Sequence, residues 1–331
     1  MKVLICGSNY GSSYLRAVIC QPATAQIKLT LAGILSKGSN RSQALAKQHH
    51  IAHYSCADDV DADNIDIACV ALPSPVGQQL VLDLLAKGIH VLCEHPLDST
   101  AMRAALNMAN KHQRMLFVNA HFADLPAPQA FINAFVKTRQ HGRCLHYDLG
   151  VNLRTLYSGL DLLGRCQGGL ESLTVSRLRP AQEPEQESQK VAERPTDDAQ
   201  PLFANLLIYG PDINVSLLCQ RFTSAVDDGS ANLLNHRFSA IFNFGSLNLS
   251  ETNGPVQWLP NTSTQQWQNV YSVEHSVINL QQFGANRDSA NLALLNKLAV
   301  TIKGGDRPAE QQPQYLIHLS SLWDQCTTLL A

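Results

Sequence analysis

The five residues CEHPL at positions 93–97 combine the residue types and spacing best suited to chemistry in this chain. Glu94 is a carboxylic acid, His95 carries an imidazole that titrates near neutral pH, and Pro96 restricts the backbone. The pentapeptide closes an apolar run, residues 88–92, that is typical of a buried strand. Because a glycine loop at residues 7–11 precedes it, we predict a reaction centre beside a nucleotide site.

The elements that must position these groups follow a regular order in the first third of the chain, where short apolar runs alternate with helical patterns. The pattern predicts strands at Lys2–Cys6, Ile27–Leu35, Ile65–Leu72, Ile89–Cys93 and Met115–Asn119, and helices at Ser12–Cys20, Ser39–His49, Pro75–Lys87 and Ala101–His112. Such alternation indicates right-handed βαβ units. We therefore predict an α/β fold in which residues 1–122 form a Rossmann-type, doubly wound parallel sheet.

The pattern changes after residue 122, where longer apolar runs alternate in the manner of exposed sheets. Strands are predicted at Ser172–Arg177, Asn214–Phe222, His236–Phe244 and Ser246–Ser250, with a closing helix at Leu316–Leu330. The polar stretch Pro180–Gln200 is predicted to be a mobile loop. Residues 123–331 should thus form an α+β domain with a mostly antiparallel open sheet, which a second copy would pair with to give a homodimer.

Composition excludes several classes of protein. The chain has 331 residues, 45% of them hydrophobic and 16% charged, and its net charge is −2 without a long basic run. These values argue against a nucleic-acid or membrane partner. The nine cysteines are scattered without a CxxC pair, so neither a disulfide framework nor a metal site is indicated. With no signal peptide evident, a cytoplasmic protein is expected.

The glycine loop follows the first predicted strand and precedes the first helix, where a pyrophosphate would meet a helix N-terminus. Its residues are Gly7, Ser8, Asn9, Tyr10 and Gly11. Only Gly-x-x-x-Gly remains of the dinucleotide fingerprint, and a plain β–α turn is the alternative. The strand–loop–helix context favours nucleotide binding.

The end of the second strand indicates which nucleotide is bound. An NAD site usually places a carboxylate there for the ribose 2′-hydroxyl, and this stretch has none. It offers cations, hydroxyls and a glycine instead: Ser36, Lys37, Gly38, Ser39, Arg41 and Ser42. These groups suit a 2′-phosphate, so NADPH is the expected cofactor. The alternative is a solvated loop in which Ser39 caps a helix.

A family resemblance rests on the glycine loop, on the strand that ends in Leu72, Pro73 and Ser74, and on Glu94-x-Pro96. Together these resemble the Gfo/Idh/MocA oxidoreductases, whose usual Glu-Lys-Pro motif places a lysine beside the nicotinamide. His95 stands in place of that lysine.

The second domain departs from the same family. Aligned on Asp161, the family's Asp-x-x-x-His-x-x-Asp pattern meets Arg154 and Ser158 in place of the acid and the catalytic histidine. The chain therefore lacks the equipment of the family's sugar dehydrogenases.

These departures resemble one branch of the family, the thiazolinyl imine reductases of siderophore assembly. The shared features are GSxRS at residues 38–42, EHPL at 94–97, RxxYSxLDLL at 154–163, GPVxW at 254–258 and LSxLW at 319–323. The resemblance implies NADPH-dependent reduction of the C=N bond of a thiazoline ring to a thiazolidine. Its substrate would be tethered to a carrier domain of a non-ribosomal peptide synthetase.

Imine reduction needs hydride at carbon and a proton at nitrogen. His95 is a candidate acid, although it would equally serve to brace the cofactor, and Glu94 is a candidate orienter. Related reductases carry a proposed tyrosine donor where this chain has Phe122. His121 or Asp124 would have to substitute, unless His95 acts with water. Asn119 is expected to contact the cofactor.

Three further residues are candidates for the substrate site. Arg154 and Tyr157 share a face if their segment is helical, and they would line the cleft or form a salt bridge and a packed ring. His236, on a predicted strand, faces the site or belongs to the core. Two other functions remain open: a Gfo/Idh/MocA dehydrogenase or imine reductase acting on a free small molecule, and a non-catalytic NADP-binding protein.

Overall fold

The structure is a computed structural model that describes residues 1–178, 202–221, 234–261, 266, 268–272 and 280–331. The stretch Pro180–Gln200, which the sequence predicts to be a mobile loop, lies outside the described residues.

The first sheet has six parallel strands in the order β3-β2-β1-β4-β5-β6. The strands are β1 (Lys2–Cys6), β2 (Thr30–Leu35), β3 (Ala52–Tyr54), β4 (Ile67–Val70), β5 (His90–Glu94) and β6 (Leu116–Asn119), and the helices between them are α1 (Gly11–Ile19), α2 (Asn40–Gln48), α3 (Val76–Ala86) and α4 (Ser99–Lys111). The predicted Rossmann-type sheet is confirmed. β2 is shorter than predicted because only the five residues of β1 pair with it.

The second sheet has eight strands in the order β14-β13-β12-β11-β7-β10-β9-β8. They are β7 (Cys144–Asn152), β8 (Thr174–Arg177), β9 (Phe203–Gly210), β10 (Ile213–Gln220), β11 (His236–Phe242), β12 (Gly245–Leu249), β13 (Val256–Pro260) and β14 (Gln268–Tyr271). Among the described strands of this sheet, only β7 and β10 pair in parallel. The mostly antiparallel sheet is confirmed, although its central strand β7 and three others were not predicted.

The described residues form four further helices. They are α5 (Pro126–Arg139), α6 (Leu156–Gln167), α7 (Leu280–Ile302) and α8 (Pro313–Leu330). α7 packs against α1, and its Leu294, Leu295 and Leu298 share one buried cluster with Val3 of β1 and Tyr14 of α1. A boundary at residue 122 therefore lies between the two sheets, although α7, which follows it in the chain, packs into the core of the first domain. Over the described part of the chain, no helix has the length and apolarity that a membrane crossing requires.

Candidate active site

The glycine loop, which connects β1 to α1, packs closely against neighbouring residues at two positions. Gly7 has φ +94°, and a Cβ atom there would lie 2.7 Å from the carbonyl oxygen of Ala71. A Cβ at Gly11, the first residue of α1, would lie 2.9 Å from Cγ2 of Ile5. Glycine is therefore required at Gly7 by both conformation and space, and the loop opens directly onto a helix N-terminus.

A cavity of about 940 Å³, the cofactor cavity, lies at the carboxyl ends of the parallel strands. Eleven of the predicted cofactor residues line it: Gly7, Ser8, Asn9, Tyr10, Ser36, Lys37, Ser39, Leu72, Pro73, Glu94 and His95. The wall is completed by residues that the sequence did not indicate, among them Ser55, Cys56 and Gln79. Its position between β1 and β4, where the strand order reverses, is that of dinucleotides in doubly wound folds.

One corner of the cofactor cavity collects the basic and hydroxyl groups. The Ser39 side chain accepts a hydrogen bond from the backbone N–H of Ser42 and caps α2. Arg41 Nη1 lies 3.3 Å from Asn9 Oδ1, so its guanidinium reaches the glycine loop. With Lys37 on the wall and no acid in residues 36–42, this corner fits a phosphate ester.

Several predicted cofactor residues do not line this cavity. Gly11 and Gly38 shape the backbone, and Gly38 has φ +84°. Ser42 is buried, where its hydroxyl donates to Ser39 O and lies 3.3 Å from His53 Nε2. Arg41 approaches the loop from outside, and Ser74 precedes the helix α3.

Asn119 was predicted to contact the cofactor, and the structure corrects this. The residue is completely buried, and its Nδ2 lies 2.7 Å from Glu94 Oε1 and 2.8 Å from Asn291 Oδ1. It therefore acts behind Glu94 and ties α7 to the first sheet.

Glu94 lies at the end of β5 within a polar network. Tyr14 Oη and Asn119 Nδ2 both donate to its Oε1. Burial raises the pKa of the Glu94 carboxyl to about 7, against the lowering effect of these two hydrogen bonds. The carboxyl is thus poised near neutral pH and held in one orientation.

His95 follows Glu94, and its ring is fixed on two sides. Its Nδ1 lies 2.6 Å from the carbonyl oxygen of Asn119, so Nδ1 carries the proton and donates it. The ring stacks on Tyr157 with centroids 5.4 Å apart. Burial lowers the pKa of His95. A neutral ring with this tautomer leaves Nε2 unprotonated, which argues against His95 as the resident acid.

A second cavity, the substrate cavity, has a volume of about 430 Å³ and adjoins the first. Tyr10, Glu94 and His95 line both cavities, so a nicotinamide in the first would meet a substrate in the second at these residues. The other lining residues are His121, Phe122, Asn152, Arg154, Thr155, Asn235, Glu251, Thr252, Asn253, Phe283 and Arg287. Two arginines, Arg154 and Arg287, are among these lining residues.

Tyr10 and His121 meet in the wall of the substrate cavity. Tyr10 Oη lies 3.1 Å from His121 Nδ1, and the guanidinium of Arg287 lies over the Tyr10 ring, 5.3 Å from its centroid. Phe122 stacks on His121 at 4.2 Å. Burial lowers the pKa of His121 well below its usual value, with smaller contributions from His95 and Arg287. His121 is therefore neutral.

Asp124, predicted as a substitute proton donor, is not brought to either cavity. Its Oδ1 lies 3.1 Å from Lys297 Nζ and 3.2 Å from Arg165 Nη1. Arg165 also binds Asp161 at 2.9 Å. Because its carboxylate is held in this buried ion cluster, Asp124 has a structural role.

The predicted substrate residues do not all line the substrate cavity. Arg154 lines the substrate cavity, but it precedes α6, which begins at Leu156, so it does not share a helix face with Tyr157. Tyr157 is buried between His95 and Trp323 and lines neither cavity. It packs against the His95 ring behind the cavity wall.

His236 is also buried behind the cavity wall. Its Nε2 lies 2.8 Å from Ser158 Oγ, its Nδ1 lies 3.0 Å from Thr252 Oγ1, and its ring packs against Phe122. Burial lowers the pKa of His236 to about 3, so the ring is neutral. Both ring nitrogens are occupied, which corrects the prediction that His236 contacts substrate.

Most of the substrate cavity was missed by sequence reasoning. Glu251, Thr252 and Asn253 form a polar turn after β12, and that clustering was an available signal. Arg287 and Phe283 come from α7, a helix that was not predicted, and nothing in their local sequence indicates a site.

The fold and the cavities define a nucleotide-binding Rossmann domain joined to a domain with a mostly antiparallel sheet. Residues 1–120 match the model of the Gfo/Idh/MocA family, an oxidoreductase family with an NAD-binding Rossmann fold. The first domain is therefore similar to the NAD(P)-binding domain of these oxidoreductases. No curated protein sequence matches the chain.

Solved structures share the fold over the whole chain. One is an oxidoreductase from Agrobacterium radiobacter in complex with NAD⁺, L-tartaric acid and magnesium, with TM-score 0.71 and 13% identity, covering 100% of this chain and 96% of that one. Another is the WlbA dehydrogenase from Bordetella pertussis with NADH and UDP-GlcNAcA, with TM-score 0.71, 12% identity and coverage of 100% and 95%.

A third is a variant of KijD10, a 3-ketoreductase from Actinomadura kijaniata, in complex with TDP-benzene and NADP. Its TM-score is 0.70 at 14% identity, covering 99% of this chain and 97% of that one. At these identities the likeness establishes the common two-domain fold.

Proposed function

We propose that the protein is an NADPH-dependent thiazolinyl imine reductase, which reduces a thiazoline C=N bond to a thiazolidine on a carrier-tethered siderophore intermediate. The cofactor corner supports NADPH, because Lys37 and Arg41 stand where a ribose-binding carboxylate would otherwise lie. When bound, NADPH supplies the hydride. The neutral His95 ring would face the reacting group from the junction of the two cavities.

The observation that carries this proposal is the position of Ser158. A sugar dehydrogenase of this family would place its catalytic histidine there, whereas the Ser158 hydroxyl is completely buried and hydrogen-bonded to Thr155 O and His236. Among the described residues that line the substrate cavity there is no lysine. The chain therefore lacks the groups that activate a sugar hydroxyl, although one of the solved structures named above, the WlbA dehydrogenase, holds the sugar nucleotide UDP-GlcNAcA.

A second candidate is an oxidoreductase acting on a free, acidic small molecule. Arg154 and Arg287 both line the substrate cavity, and a carboxylate would be bound well there. Two arginines in the wall suit a free carboxylic acid better than a neutral thioester.

The test is NADPH oxidation with one thiazoline offered in two forms, as a thioester on a carrier protein and as the free carboxylic acid. The proposed function predicts that kcat/KM is at least about 100-fold higher for the carrier-bound form, since carrier contacts add binding energy. The reverse order favours the second candidate. Tight NADPH binding without turnover of either form would indicate that the protein binds NADP without catalysing a reaction.

The carrier domain as partner, the homodimer and the cytoplasmic location also remain predictions. Sedimentation of the purified chain tests the dimer, and co-elution with an isolated carrier domain tests the partner.

A further inference from the structure

Tyr10 occupies an unusual position for a residue of a nucleotide loop, since its side chain lines the substrate cavity as well as the cofactor cavity. Its hydroxyl lies 3.1 Å from His121 Nδ1, and its ring lies beneath the Arg287 guanidinium. Glu94 and His95 share the same junction between the cavities. Tyr10 is thus placed where cofactor and substrate would meet.

Three residues at the predicted donor positions are unsuited to supply the proton that imine reduction requires. The Nδ1–H group of His95 is used in a hydrogen bond that it donates to the carbonyl oxygen of Asn119. Phe122, at the position of the expected tyrosine, has no proton to give. Asp124 is bound to Arg165 and Lys297 outside both cavities.

We propose that Tyr10 is the proton donor to the imine nitrogen, and that His121 returns a proton to it from solvent. The inference rests on the proposed function. A phenol is protonated throughout the neutral range, which a donor requires. Burial and the nearby Glu94 carboxylate raise the pKa of Tyr10, while the Arg287 charge acts in the opposite direction and would stabilise the tyrosinate that forms.

The step balances as follows. The hydride forms a new C–H bond at the imine carbon, the π electrons of C=N move to nitrogen, and nitrogen forms an N–H bond as the Tyr10 O–H bond breaks. NADPH is oxidised to NADP⁺ and the imine is reduced to an amine. The tyrosinate regains its proton through the hydrogen bond with His121.

The Tyr10→Phe variant tests this role with two substrates. A neutral thiazoline needs the proton, whereas its N-methylthiazolinium analogue already carries the positive charge and needs only hydride. We expect Tyr10→Phe to lower kcat about 100-fold on the neutral thiazoline and less than about threefold on the N-methyl cation. His121→Gln should show the same selectivity with a smaller loss.

Two further readouts separate proton donation from a structural role. NADPH affinity, measured by fluorescence titration, should remain within about threefold in Tyr10→Phe, because the ring is retained. Tyr209→Phe is the matched control, since Tyr209 is exposed on β9 and lies outside both cavities; it should leave both rates unchanged.

An equal loss on both substrates, or a loss under about threefold on the neutral one, would overturn the assignment of Tyr10. If the wild-type protein reduces neither substrate, the proposed function itself fails. The two failures are therefore distinguishable.

Discussion

Replacing Glu94 with glutamine should remove a pH-dependent penalty on folding. The carboxyl of Glu94 is buried between the two cavities, with Tyr14 and Asn119 donating to its Oε1. A glutamine side chain has the same shape, and its amide oxygen accepts the same two hydrogen bonds. Glu94→Gln therefore removes the titratable group while it preserves the contacts.

The magnitude follows from the pKa. Burial raises the pKa of Glu94 from 4.5 to about 7 in the folded protein. The folded state thus holds more protons than the unfolded state between these values, and wild-type stability must fall as pH rises through this window. At about 1.36 kcal/mol per pKa unit, the raised pKa of Glu94 lowers the free energy of unfolding by about 3 kcal/mol at pH 8 and by about 1 kcal/mol at pH 5.

The assay is urea denaturation of the cofactor-free chain at both pH values, with wild type, Glu94→Gln and Glu171→Gln. The Glu94 variant should gain about 2 kcal/mol more over wild type at pH 8 than at pH 5. Glu171 is exposed, so its variant controls for loss of one surface charge. A gain that is the same at both pH values, or a loss that grows with pH, would refute the reasoning.

Three other perturbations test the cofactor site and the fold. Arg41→Ala should weaken NADPH binding about 10-fold and NADH binding less than threefold by calorimetry, since only NADPH has the 2′-phosphate; a parallel change contradicts it. Gly7→Ala should cost more than about 2 kcal/mol and Gly168→Ala only about 1 kcal/mol in urea denaturation, because both have positive φ but only Gly7 meets a backbone oxygen; equal losses would refute this. Arg165→Met should cost about 3–5 kcal/mol because it leaves the buried Asp161 carboxylate without its cationic partner, and an unchanged denaturation midpoint would argue against the buried cluster.

The first sheet and the cofactor cavity were largely predictable from the sequence. Parallel strands all end at the same edge of a sheet, so residues that follow β1, β2, β4 and β5 must converge. Local patterns suffice for that inference, because hydrophobic period and strand ends are properties of short segments. Asn119 was misjudged because burial of its side chain depends on Asn291 of α7, far away in the chain.

The substrate cavity was predicted only in part. Arg154 and His121 were recognised as candidates, but the roles of Tyr157 and His236 depend on which side of α6 and β11 their side chains face. Neither residue's local sequence distinguishes a cavity wall from the layer behind it. Asp124 was separated from the site because Arg165 and Lys297 come from two other helices.

The sequence alone was enough to predict a Rossmann-type domain, a site at the Glu94–His95 strand end and a cofactor corner with cations, because each depends on neighbouring residues. Only the tertiary structure joined Tyr10 of the glycine loop to His121 and Arg287 across the junction of the two cavities. These three residues come from the β1–α1 loop, the segment after β6 and helix α7. Their contact is a consequence of how distant elements pack, which no local pattern encodes.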